Sequence, residues 1–295
     1  MNIKEEILSL NRNPQLPEWF DSQLDQLIDE QAITTDFEQL KNGIVSQLVD
    51  YRTRYQIDTA VIGMSGGIDS ALTAALFKAA GWQVTGVLMP IHQKSEETQR
   101  GELACQSLGI NMELCDLTQA YDDFVFSIRR NVDRDINDAP IRQGNIRARL
   151  RMITLYNLAA RLGGLVGSTD NFSELAAGFW TLHGDVGDVA PIQNLTKSWE
   201  VPKLAQLLGV PNEIVTAVPT DGLGISNSDE DQFGFSYLEF DIALQRDLHF
   251  SNDMDPDSFK VMSAIRQRVK STKFKRINPV NLINPLFPDR SVPQV

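Results

Sequence analysis

The chain has 295 residues, 42% of them hydrophobic and 22% charged, an ordinary composition for a water-soluble globular protein. Its formal net charge is −12, which argues against a protein that grips nucleic acid, since such surfaces are usually basic. The only two cysteines, Cys105 and Cys115, make no CxxC or other metal spacing. No apolar run reaches transmembrane length and the N-terminus shows no signal-peptide pattern, so a cytoplasmic protein without membrane partners is expected.

Residues 1–35 read as an N-terminal extension, broken at Asn13-Pro14-Gln15-Leu16-Pro17. Trp19, Phe20, Leu24 and Leu27 then fall at helical spacing, as in a helix packed on the body. Phe37, Leu40, Ile44, Leu48 and Tyr51 mark a clearer amphipathic helix over 36–55.

Val61-Ile62-Gly63-Met64-Ser65-Gly66-Gly67-Ile68-Asp69-Ser70 reads as a buried strand, a glycine-rich turn and a helix start. Free N–H groups at such a start form an anion site. A tight turn without a ligand needs less than two glycines, two serines and an aspartate together. The Lys-Ser/Thr pair of a Walker A loop is missing, as is a Gly-x-Gly-x-x-Gly dinucleotide loop.

After a helix from Ser70 to Ala80 come a strand over Gln83–Met89, a helix over Ser95–Leu108 and a strand over Ile110–Leu117. Alternating strands and helices imply parallel βαβ units, with ligands held at the carboxyl ends of the strands. A long helix runs from Gln143 to about Leu162, followed by a short strand at Gly164–Gly167 and a polar segment with a helix start through Glu174. Two glycines and two aspartates make Gly184–Pro191 a poor regular element and a good ligand loop. A helix is expected from Thr196-Lys197 to about Leu208, a long irregular loop from Pro219 to Asp231, and a helix near Pro256–Ser271 before a basic end at Lys273–Arg276.

Ser65-Gly66-Gly67-Ile68-Asp69-Ser70 resembles the SGGxDS loop of the N-type ATP pyrophosphatases, which cleave ATP between its α- and β-phosphates. Five further motifs, GNIRARLRM, GSTDNFSE, GFWTLHGDVGDVAP, LTK and PTDGL, follow in order. Together with the loop they resemble the ammonia-dependent NAD synthetases over roughly residues 40–280.

This resemblance implies a doubly wound parallel sheet flanked by helices, of the adenine nucleotide alpha hydrolase-like type. The main domain would span 36–280, with a tail at 281–295 and a tight homodimer as the assembly. It implies that Gly63, Met64, Ser65, Gly66, Gly67, Ile68, Asp69 and Ser70 hold ATP, with Thr169, Lys197 and Thr220. Asp69 and Glu174 would hold Mg²⁺, and Arg149, Asp188 and Lys275 would contact deamido-NAD. Asp69, Lys197, Thr220 and Asp188 are the implied catalytic residues. Taken alone, Glu174 also suits a helix dipole and Lys197 a surface helix.

Three departures from the family pattern fall on the acceptor side. Thr181-Leu182-His183 lacks a lysine, the Gly184–Pro191 loop is one residue short, and Phe274 replaces a histidine before Lys275. The implied reaction is amidation of deamido-NAD by ammonia through an adenylate, with nicotinate mononucleotide as the alternative acceptor. Glutamine-dependent relatives carry a separate amidase domain for which this length leaves no room, so free ammonia or a partner subunit is the expected nitrogen source. A silent nucleotide-binding homologue and a tRNA-modifying pyrophosphatase are the competing readings. The intact ATP-site residues oppose the first, and the acidity and cysteine usage oppose the second.

Overall fold

The computed structural model describes residues 2–11, 14–217, 230, 234–250 and 259–276. Its centre is a parallel four-stranded sheet of β1 (Thr59–Gly63), β2 (Gln83–Leu88), β3 (Asn111–Leu114) and β4 (Leu165–Val166), in the order β3-β2-β1-β4. Ala60 of β1 pairs with Val84 of β2 on one side and with Leu165 of β4 on the other. The chain therefore winds outward from β1 to β3, then crosses back to place β4 beside β1. Between β1 and β4 the strand order reverses, and such a switch point opens a crevice at the carboxyl ends of the strands.

Alternation along the strands feeds two cores, as the period of two requires. Ala60, Ile62, Val84 and Leu88 face the larger core, built with α3 (Phe37–Tyr55), α4 (Ile68–Ala79), α5 (Ser95–Leu108) and α9 (Glu200–Leu207). Val61, Val87 and Met89 face the other side, where α7 (Pro140–Leu162) supplies Met152, Leu155 and Leu158. In α4, Leu72, Leu76 and Phe77 are fully buried, each worth about 1.5–3 kcal/mol of burial.

The N-terminal helices α1 (Ile3–Ser9) and α2 (Glu18–Asp29) share the larger core through Ile7, Phe20, Leu24 and Leu27. The remaining helices are α6 (Thr118–Asn131), α8 (Phe172–Ala177), α10 (Asn212–Val215), α11 (Tyr237–His249), α12 (Phe259–Ser271) and α13 (Lys273–Arg276). α11 packs against α2, α8 and α12. No helix among the described residues is long and apolar enough to cross a membrane.

Several elements depart from their expected bounds. The helix expected from Thr196 starts at Glu200, because side chains capture the preceding N–H groups: Thr196 N donates to Glu200 Oε2 (2.7 Å) and Ser198 N to Asp241 Oδ2 (2.9 Å). β3 is shorter than expected, spans only Asn111–Leu114 and lies exposed at the sheet edge. α1, α6, α10 and α11 are additional to the elements expected from the sequence. Thr220, most of the loop at 219–231 and the tail at 281–295 lie outside the described residues.

Candidate active site

The carboxyl end of β1 runs directly into the glycine-rich turn. Met64 N donates to Val87 O of β2 at 2.9 Å, which fixes where the turn leaves the sheet. Gly66 sits at φ +83°, a left-handed conformation that favours glycine, with the Glu97 carbonyl directly where a Cβ would project. Gly67 N donates to Ser65 Oγ (3.2 Å) and Ser70 Oγ donates to Gly67 O (2.9 Å), so the turn is tied internally. Gly67 caps α4 with no side-chain hydrogen bond. The first N–H groups of this 12-residue helix thus remain available to an anion, favoured by the helix dipole.

Three charged side chains from three elements converge beside this turn. Lys197 Nζ donates to Asp69 Oδ2 and lies 4.0 Å from Glu174 Oε1. The Lys197 side chain is only 7% exposed and the two carboxylates 17% and 16%, so their attraction is less screened than at a surface. Asn171 orients both acids: its Nδ2 donates to Asp69 Oδ1 (3.1 Å) and its backbone N to Glu174 Oε2 (3.3 Å). Asn171 and Glu174 also form the capping box that starts α8.

The cavity at this switch point measures about 480 Å³, the size of a cofactor site. Ser65–Ser70, Thr169, Glu174 and Lys197 line it, as do Gly63 and Met64. Asn145, Arg151, Trp180, Asp185 and Lys275 complete a polar wall. Arg151 is anchored by Nε to Met89 O and by Nη2 to Gln93 Oε1, both at 3.1 Å. Lys275 Nζ donates to Gly178 O (2.7 Å) and to Trp180 O. Burial lowers the Lys275 ammonium below its ordinary range. The buried indole N–H of Trp180 finds no acceptor among the described residues.

The buried carboxyl group of Asp170 and the partly buried one of Asp185 face the same cavity. Burial, with the charges of Asp185 and Asp69, pushes Asp170 up to about 7 against its hydrogen bond from Ser168. Burial also raises Asp185, opposed by its hydrogen bonds from Thr181 and by the charges of Arg151 and Lys275. Behind the wall, burial pushes the Asp241 carboxyl up to about 6, against hydrogen bonds from Ser173 and Ser198. Cys105, buried in α5, has its thiol raised to about 11 by burial, so it is held protonated and unreactive.

Among the residues expected on the acceptor side, the structure separates Lys275 from the other two. Lys275 lines the cavity, whereas Arg149 and Asp188 lie outside its lining. Arg149 Nε donates to Leu182 O at 3.1 Å. Asp188 accepts from Tyr156 Oη (2.8 Å) and from Val166 N (2.9 Å), tying the glycine-rich loop to α7 and β4. Residues the sequence reading did not single out are Asn171, Asp170, Arg151 and Asp241. For Asn171 a signal existed, the Asn-x-x-Glu spacing of a capping box. A Ser-x-x-Glu box likewise opens α11 at Ser236. The other three are set by long-range packing.

A switch-point cavity with an uncapped helix start, a Ser-Gly-Gly turn and a lysine between two acids matches the arrangement expected of an ATP pyrophosphatase. The NAD synthase family model matches residues 40–279. The NH(3)-dependent NAD(+) synthetase of Finegoldia magna is 36% identical over 222 residues, 74% of this chain and 89% of the relative. That of Pyrococcus furiosus is 34% identical over 246 residues, covering 80% and 93%. Among solved structures, the NMN synthetase from Francisella tularensis superposes with a TM-score of 0.74 at 28% identity, covering 85% of this chain and all of that one. The NH3-dependent NAD synthetase from Campylobacter jejuni, in complex with the nitrate ion, gives 0.67 at 26% identity, covering 84% of this chain. The chain belongs to the NAD synthase family. It is an ATP-using ligase that forms a carbon–nitrogen bond.

Proposed function

We propose that the protein amidates the nicotinate carboxylate of deamido-NAD with ammonia, through an acyl-adenylate, releasing pyrophosphate and AMP. The observation that carries this reading is the Lys197 ammonium held between Asp69 and Glu174 beside the Ser65–Ser70 turn. A carboxylate cannot expel oxide at neutral pH, so its oxygen must first become part of a better leaving group. The nicotinate oxygen attacks the α-phosphorus of ATP, and the bond to the bridging oxygen of pyrophosphate breaks. Lys197 and the N–H groups at the start of α4 stabilise the charge that builds on that pyrophosphate. Thr169, on the same wall, and Thr220 are assigned to ATP contacts by the family pattern.

The carboxylates fit a divalent cation. Among the described residues no group of three or more His, Cys, Asp or Glu stands ready to hold a metal. Yet Asp69 and Glu174 converge on a single positive charge, that of Lys197. One or two carboxylates completed by substrate phosphates and water are what Mg²⁺ takes. Bound there, Mg²⁺ would neutralise phosphate charge.

In the second half-reaction ammonia attacks the acyl carbon and AMP leaves. The attacking nitrogen arrives largely as ammonium and must lose a proton. Asp170 and Asp185 are carboxylates on the cavity wall, and the buried Asp170, pushed up to about 7, is poised to accept a proton near neutrality. Asp188, with both oxygens already accepting hydrogen bonds outside the lining, is assigned to shaping the acceptor loop. Lys275 and the Trp180 indole supply a cation and a ring for the acceptor.

A second reading, amidation of nicotinate mononucleotide, is favoured by two observations. Arg149 and Asp188 stand off the cavity lining, and the similar Francisella structure is an NMN synthetase. We assign the assembly as a homodimer, supported by the exposed apolar side chains Ile153 and Tyr156 on α7 and Met112 and Leu114 on β3.

The test is purified protein with ATP, Mg²⁺, ammonium and each nicotinate nucleotide in turn, following AMP and the amide. Faster turnover of deamido-NAD is expected. Faster turnover of the mononucleotide moves the assignment to the second reading, and no AMP release with either acceptor defeats both.

A further inference from the structure

Lys197 is not carried by a helix. It lies in the turn Thr196–Trp199 ahead of α9, and a lysine side chain with four rotatable bonds is only as well placed as its backbone. Three backbone groups around it are held by side chains from three other elements. Lys197 N donates to Ser173 Oγ of α8 at 2.9 Å. Ser198 N donates to Asp241 Oδ2 of α11 at 2.9 Å, reinforced by Ser198 Oγ at 2.7 Å. Ser198 O accepts from Asn11 Nδ2 at 3.0 Å, in the segment after α1. With both its N–H and its C=O held from different elements, Ser198 has little freedom to rotate its flanking peptides.

The holding groups are themselves linked. Ser173 Oγ donates to Asp241 Oδ1, so one fully buried carboxylate joins the Lys197 turn to the residue preceding Glu174. On the same face of α11, four residues earlier, the Tyr237 ring centroid lies 5.8 Å from Lys197 Nζ. α11 is braced in turn by α2: Arg246 Nε donates to Gln23 Oε1 at 2.8 Å, and its guanidinium lies 5.5 Å from the Trp19 ring centroid. Asn11 Nδ2 also donates to Ile7 O at 2.8 Å, which anchors it to α1. Asn11, Trp19 and Gln23 all precede the residues 40–279 that the family model matches.

We propose that Asp241 and Asn11 are positioning residues that set the Lys197 ammonium between Asp69 and Glu174, and that the segment before residue 40 thereby acts on the ATP site. Neither residue lines the cavity. Both act through the Thr196–Trp199 turn. The catalytic meaning of this placement rests on the function proposed above, while the placement itself can be read without turnover.

The experiment compares Asp241→Asn and Asn11→Ala with the wild type. The first readout is the NMR signal of the ¹⁵N-labelled lysine ammonium groups, with Lys197→Met to assign Lys197. The second is kcat and KM for the nicotinate nucleotide. Asn11 is partly exposed, so its truncation is expected to fold even if the buried Asp241→Asn does not. The Lys197 signal should shift or broaden in each folded variant. Misplacing the lysine should lower kcat by about 10- to 100-fold in Asp241→Asn and by a smaller factor in Asn11→Ala. KM for the acceptor should stay within about twofold. A Lys197 signal identical to wild type in folded variants would overturn the proposal, even alongside a lowered unfolding midpoint. A wild-type protein that makes no amide would defeat the function and leave the Lys197 signal to decide the placement.

Discussion

Replacing Lys197 by methionine leaves an unbranched side chain one heavy atom shorter and removes the charge. In the wild type that ammonium is 7% exposed, against carboxylates that are 17% and 16% exposed. Without it Asp69 and Glu174 face one another with no cation between them. Breaking a buried ion pair from one side costs about 3–5 kcal/mol. Here each acid keeps a hydrogen bond from Asn171 and some contact with water, so a loss of about 2–3 kcal/mol in folding stability is expected. In catalysis the variant loses one preorganised charge on the departing pyrophosphate, expected to cost about 10²–10³ in kcat. A compensation is also expected: a divalent cation can take the place of the missing ammonium between the two acids. Thermal unfolding of both proteins in EDTA and in Mg²⁺ measures this, with AMP release read in parallel. Mg²⁺ should raise the unfolding midpoint of Lys197→Met more than that of the wild type. An equal response of the two proteins, or a kcat within about threefold of wild type, would refute the electrostatic account.

Gly66→Ala must place a Cβ against the Glu97 carbonyl at φ +83°; ATP binding measured by calorimetry should be lost while the fold, read by circular dichroism, persists. Asp69→Asn should abolish amide formation, and retained turnover would remove Asp69 from the site. Asp170 is about 7 in the folded chain against 3.8 for the unperturbed group, so the folded state holds its proton to higher pH. The wild type should therefore lose stability as pH rises from about 4 to about 7, then level off. Asp170→Asn lacks this loss, and its advantage in denaturant titrations should grow over the same window, up to about 4 kcal/mol; a constant difference would contradict the assignment. Ile153→Glu places a charge on the exposed apolar side of α7 and should give a monomer in sedimentation experiments; a wild type that is itself monomeric would refute the dimer.

The elements that the sequence marked well are those whose signals are local. α5 coincides with its expected span of Ser95–Leu108, bounded by polar residues at the start and Gly109 at the end. α7 follows its apolar period to Leu162, although its start lies earlier, at Pro140, which has no N–H to lose at a helix start. Where side chains compete with the backbone, periodicity misleads. Thr196-Lys197 carries a helical pattern, yet Glu200 and Asp241 take the N–H groups and leave a turn. α11 was hidden for a different reason: its polar core residues, Asp241 and Arg246, break the apolar stripe because their partners lie in Ser173, Ser198 and Gln23.

The glycine-rich turn was determined by the sequence itself, because its chemistry lies in consecutive residues. A strand, two glycines and a helix start bring backbone N–H groups together whatever surrounds them. The family resemblance added the residue types expected around that turn. The tertiary structure alone decided how they meet. Lys197 lies 128 residues from Asp69, and Asn171 lies 102 from it, separations over which no periodicity carries information. Their meeting depends on the crossing of β4 beside β1 and on buried polar contacts that hold the Lys197 turn. The same packing raised Asp170 and Asp185, since a carboxyl's proton affinity is set by the water it loses and the charges it gains on folding.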